Sequence, residues 1–187
     1  MLRLRFARPK WRTRFLTFAA AASAGVLAVS ACSKGNGDDK KNYTVPSALC
    51  GIKADPELVD PFLPGGDSIA AKSSTLSGGA DRCDVTVDGK VAVREILTWW
   101  GDRETVATVA AAYAKTDGGK MTDDERYLYS GVGAVGKTSE ACKSTEHPDQ
   151  DLYGVVQVFT ADRSDPEAMK ELIASYIRGL EASAECR

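Results

Sequence analysis

Apolar residues near the C-terminus recur with the period of a helix. Met169, Leu172, Ile173, Tyr176, Ile177 and Leu180 fall at i, i+3, i+4, i+7, i+8 and i+11, a wide stripe on one helical face. Asp165 stands where an N-cap is needed, and Pro166 fits the first helical position, where its missing N–H costs nothing. A weaker version of the pattern, Val106, Val109, Ala110 and Tyr113, predicts a helix over about 103–115 that Gly118-Gly119 ends. Elsewhere the period shortens to two. The segments DVTV and KVAVREI flank Asp88-Gly89, a strong short-range hairpin signal. VAVREILTWW and LYGVVQVFTA read as the two long strands, with shorter ones at Ile69 to Leu76 and Tyr127 to Ser130. Asp55-Pro56 opens a short helix that Pro61 limits and Pro64-Gly65-Gly66 closes.

Two stretches look alike when laid on their cysteines. One runs from Cys83 through VAVREILTWW to Asp102-Arg103, the other from Cys142 through LYGVVQVFTA to Asp162-Arg163, with 19 and 20 residues from cysteine to aspartate. Each reads strand, turn, strand, helix, so an internal duplication of that unit is expected. In the second, the tight turn is replaced by the loop His147-Pro148-Asp149-Gln150-Asp151. The expected fold is α+β: a mostly antiparallel sheet with helices on one face, forming a single domain over 47–187.

The first 31 residues follow a different pattern. Arg3, Arg5, Arg8, Lys10, Arg12 and Arg14 precede an uncharged apolar run from Phe15 to Val29. This is the layout of a signal peptide, whose core is shorter than the roughly 20 apolar residues of a permanent span. Val29-Ser30-Ala31-Cys32 has the form of a bacterial lipobox, so Cys32 is expected to carry lipid and to hold the protein to the membrane. Residues 32–46, small, polar and charged, read as that lipidated cysteine and a flexible tether.

Charge and cysteine count sharpen this picture. The whole chain has a formal charge of −2, and removing the six cations of the leader leaves −8. Such a surface excludes a nucleic-acid groove or a polybasic membrane face. Five cysteines are odd in an exported protein, and lipidation of Cys32 leaves four to pair. Three pairings of Cys50, Cys83, Cys142 and Cys186 are open; Cys50–Cys83 with Cys142–Cys186 is favoured because it clasps each half. No CxxC is present, so neither a thioredoxin-like centre nor a zinc ribbon is expected.

Candidate chemistry is thin. Gly131-Val132-Gly133-Ala134-Val135-Gly136-Lys137-Thr138 satisfies GxxxxGK[ST]. A phosphate-binding loop needs a helix directly after it, and Ser139 to Thr145 has no helical period, so a glycine-rich turn is expected instead. Asp123-Asp124-Glu125 lacks the glycine and spacing of an EF-hand loop. A single histidine, His147, excludes multi-histidine metal sites, and GxSxG, SxxK and HExxH are all missing. No catalytic residue, metal or cofactor is therefore assigned. The binding candidates are Trp99 and Trp100 at the end of a strand, where one enters the core and the other can face a partner, and His147 with Asp149 on the loop.

With VSAC, the tether, and the stretch from Leu49-Cys50-Gly51 to Arg82-Cys83-Asp84, the chain resembles small uncharacterised surface lipoproteins of high-GC Gram-positive bacteria. That family often places an aromatic two residues after the second cysteine; here the position is Val85. The resemblance implies a location on the outer face of the cell membrane and brings no catalytic residues. The expected role is non-catalytic binding of an envelope protein or a cell-wall glycan. A carboxylate-based envelope hydrolase and a solute-binding lipoprotein are the alternatives.

Overall fold

Two long, adjacent central strands organise the domain. The computed structural model describes residues 40–186, so the leader, Cys32 and the start of the tether lie outside the described residues. Strands β1 (Ala48–Leu49) and β2 (Ile52–Lys53) form a small hairpin. A second sheet contains β3 (Ile69–Thr75), β4 (Asp81–Val87), β5 (Lys90–Gly101), β6 (Lys120–Met121), β7 (Tyr127–Tyr129), β8 (Gly133–Lys137) and β9 (Gln150–Val158). Its order is β3-β4-β5-β9-β8-β7-β6, with every neighbouring pair antiparallel. The α+β reading and the antiparallel sheet are thus found. Asp88 and Gly89 both take positive φ, 48° and 77°, as the tight turn between β4 and β5 requires.

Helix α3 (Pro166–Glu181) is the expected one. Asp165 caps it, accepting from the Glu167 and Ala168 amides at 3.1 and 3.0 Å. Its apolar stripe packs on one face of the sheet with Val93, Leu97, Leu152, Val156 and Ala134, and the short α1 (Pro56–Val59) packs against α3. Two glycines let the helix come close. Gly136 and Gly154 are direct cross-strand neighbours, and a Cβ on Gly154 would stand 2.9 Å from Ile177, Leu180 and Tyr176.

Three expectations are corrected. Helices occupy both faces: α2 (Val106–Ala110) packs with Ile96, Val135, Tyr153 and Val155, the residues of alternate parity that point away from α3. α2 also has five residues rather than thirteen. Thr116 donates its hydroxyl to the carbonyls of Ala110 and Tyr113 at 2.7 and 2.5 Å, satisfying the helix end where the chain turns away. The duplication survives in topology, since β4-β5-α2 and β8-β9-α3 both run strand, strand, helix. Yet the two helices cover opposite faces, and Cys142 lies in the β8–β9 loop whereas Cys83 lies within β4. Finally, the segment expected to be tether is docked from Lys40 onward. Lys41 pairs with Asp60 at 2.9 Å, Asn42 N donates to the Gly66 carbonyl at 2.8 Å, and the Tyr43 hydroxyl reaches the Pro64 carbonyl.

Both favoured disulfides are present: Cys50–Cys83 with Cα atoms 5.8 Å apart, and Cys142–Cys186 at 4.4 Å.

Candidate functional site

The residues singled out as binding candidates separate in space. Trp99 points to the α3 face and stacks on His147, ring centroids 4.5 Å apart and planes inclined by 12°. The imidazole is held from its other side by a 2.6 Å contact between His147 Nδ1 and Gln150 Oε1. Trp100, the next residue, points to the opposite face and donates Nε1–H to Thr98 Oγ1 at 3.1 Å. Asp149 is exposed, and its carbonyl accepts from the Asp102 amide at 3.2 Å. The fold therefore joins Trp99 with His147 but divides the tryptophans, and the stacked imidazole covers one face of the Trp99 ring.

The phosphate-loop match is a buried strand, neither a nucleotide cradle nor the expected turn. Residues 133–137 are β8, paired with β7 on one side and β9 on the other, so their amides serve the sheet. Its glycines allow close packing: a Cβ on Gly133 would lie 2.5 Å from the Lys115 carbonyl. Lys137 pairs with Asp151 at 2.6 Å, and Thr138 donates to the Leu152 carbonyl at 3.1 Å. Burial alone would lower the Lys137 pKa, but the bond to Asp151 and the charge around it raise it above its ordinary value. The acidic run at 123–125 is a hairpin turn, where Asp124 accepts from Thr122 Oγ1 at 2.6 Å and from the Arg126 amide at 3.2 Å. Among the described residues no group of three or more histidine, cysteine or acidic side chains could hold a metal ion.

The site that the geometry does build centres on Glu95. Along β5, Val93, Glu95, Leu97 and Trp99 share the α3 face, so a carboxyl stands in a row of apolar side chains. Glu95 is 2 % exposed and has no hydrogen-bond or ion-pair partner among the described residues. Its neighbours across the sheet are Cys83 on β4 and Val156 on β9, and beyond Cys83 comes Ser73 on β3. Burial pushes the carboxyl up from its ordinary value to about 8, because a charge there would lose its water without gaining a counter-charge.

The carboxyl opens on a pocket of about 440 Å³, within the usual range for small-ligand sites. Leu49 and Ile52 of the β1–β2 hairpin, Leu97 and the ring of Tyr176 supply apolar wall, and Ser73, Thr75, Asp81 and Glu185 supply the polar part. The Cys50–Cys83 disulfide fastens this wall. Cys83 is the cross-strand neighbour of Glu95, and Cys50 sits at the turn of the β1–β2 hairpin with φ +47°. A non-glycine residue is rare in that left-handed region. The nearby cations turn away: Arg94, next to Glu95 in the chain, and Arg82 on β4 both lie on the other face of the sheet, where Arg94 pairs with Asp84 at 2.6 Å and Arg82 donates to Ser74 at 3.2 Å and pairs with Asp84 at 3.3 Å. The Tyr176 hydroxyl is raised well above its ordinary value, first by burial and then by the negative charges of Glu95, Glu185 and Asp81.

Sequence reasoning missed this site. The one available signal was a carboxylate at a core-facing position of a strand, between Val93 and Leu97, and alternation alone could not say that no cation would reach it. Compared with family models, with curated proteins and with solved structures, the chain matches none.

Proposed function

We propose that this chain is a lipid-anchored binding domain on the outer face of the cell membrane, akin to the small surface lipoproteins that its N-terminus resembles. In this reading Cys32 carries the lipid, and an envelope protein or a cell-wall glycan is the partner. Two disulfides accord with an oxidising compartment outside the cytoplasm.

The observation that carries the binding role is Glu95, a buried carboxyl without a partner at the wall of a pocket large enough for one chemical group of a ligand. An unpaired buried ionisable group lowers stability, and a ligand that satisfies it accounts for its place there. The test places a photo-reactive amino acid at Ser73, exposed at the pocket edge, and irradiates intact cells. A discrete adduct at that position, and none for the same probe at Met121 on the far edge strand, is expected. Equal labelling at both positions would overturn the reading. Intact mass of the membrane-extracted protein tests the anchor, and a free Cys32 thiol would refute it.

A second reading is a carboxylate hydrolase. A carboxyl still protonated at neutral pH is suited to give a proton to a leaving group, and Asp81 and Glu185 line the same pocket. Turnover of labelled cell wall by the purified protein, lost in Glu95→Gln, would replace the binding role with this one.

A further inference from the structure

We propose that the Glu95 pocket takes a primary ammonium group carried on an apolar stem, held by the Glu95 carboxylate at its inner end. This deepens the binding role proposed above and rests on the pocket being the recognition site.

Every ionisable side chain directed into the pocket is acidic or phenolic: Glu95 from β5, Asp81 from β4, Glu185 after α3, and Tyr176 from α3. The one lining residue with a cationic side chain, Arg82, spends it on Ser74 and Asp84 across the sheet, and Cys50 and Cys83 are disulfide-bonded. An anionic ligand would meet uncompensated negative charge, whereas a cation would find a carboxylate in low dielectric, where the attraction is strong. Asp81 is already bound by the Thr75 hydroxyl at 2.7 Å and Glu185 is only half-buried, which leaves Glu95 as the buried acceptor without a partner. A bare metal ion is disfavoured, because no cluster of ligating side chains forms among the described residues. Leu49, Ile52, Leu97 and the Tyr176 ring would cover the stem, and the ring adds a face for the cation.

Binding is linked to a proton. The free pocket holds Glu95 as a neutral acid at pH 7. An ammonium ion entering it drives off that proton, so the complex contains R–NH₃⁺ against the Glu95 carboxylate and one H⁺ is released to solvent. With the carboxyl titrating at about 8, apparent affinity should fall by about fifty-fold between pH 8 and pH 6, since an alkylammonium stays charged throughout that range.

The experiment is calorimetry on the full chain in detergent, with 2-phenylethylammonium, the neutral 2-phenylethanol, 3-phenylpropanoate and Nα-acetyl-lysine amide as probes. The expected result is saturable binding of an ammonium probe, weaker at pH 6 than at pH 8 and lost in Glu95→Gln, with the circular dichroism of that variant unchanged. Binding by 2-phenylethylammonium alone assigns the group to a free small molecule. Binding by the lysine amide as well assigns it to a side chain of a partner. Equal or tighter binding of the alcohol or the carboxylate would overturn the ammonium proposal and leave the pocket as a binding site. Failure of all four probes, together with no adduct at Ser73, would overturn both.

Discussion

Replacing Glu95 by glutamine should stabilise the protein, and by an amount that grows with pH. Below its ordinary value of 4.5 the carboxyl is protonated in the folded and unfolded chains alike, so it contributes no pH dependence there. Between 4.5 and about 8 the unfolded chain releases the proton while the folded chain keeps it. The folded state then binds more protons, and stability falls by about 1.4 kcal/mol for each pH unit in that window. Above 8 both states are ionised and the penalty levels off. Over the whole window the loss is on the order of 5 kcal/mol, a large share of the 5–15 kcal/mol of a typical domain. Glutamine keeps the shape and cannot ionise. Urea unfolding of the wild type and Glu95→Gln, with disulfides intact, at pH 5, 6, 7 and 8 measures the difference directly. The gap between the two should widen by about 3–4 kcal/mol from pH 5 to pH 8. A gap that stays constant would mean that Glu95 is solvated or paired in the folded protein, and the account of the pocket would fall.

Removing the Cys50–Cys83 disulfide by a double alanine substitution should lower stability by roughly 4 kcal/mol on the loop-entropy estimate, from the 33-residue separation it closes. The same change should bring the Glu95 midpoint, followed by its protonated-carboxyl infrared band, back toward the ordinary value; an unmoved midpoint would show that the disulfide does not close the pocket. Gly154→Ala should lower the melting temperature, because the new methyl meets three side chains of α3 at 2.9 Å and overpacking of this kind costs about 1–3 kcal/mol. Unchanged melting would mean that α3 can shift at no cost. Lys137→Ala should lose its pair with Asp151 for roughly 1 kcal/mol or less. The wild type should show no Mg²⁺-dependent nucleotide binding in titration calorimetry, and such binding would contradict the assignment of 133–137 to a sheet strand.

Local chemistry was legible wherever a signal acts within a few residues. Asp165-Pro166 and the stripe from Met169 to Leu180 specify α3 because capping and helical periodicity are short-range. Asp88-Gly89 specifies its turn because both residues must take positive φ. The half-by-half clasp also proved to be the cysteine pairing. What lay beyond sequence reading was the face on which each element packs. The pattern Val106, Val109, Ala110 shows an apolar side but not which side of the sheet receives it, and the two helices went to opposite faces. The motif from Gly131 to Thr138 reads the same whether its amides bind phosphate or neighbouring strands; pairing with β7 and β9 decided that. The sequence by itself thus determined α3 and the turn between β4 and β5, whose causes are local, and favoured the two clasps among three open pairings. Only the tertiary structure decided that Glu95 stands without a counter-charge, because Arg82 is kept on the far face by strand alternation, and burial depends on every element that closes around a residue at once.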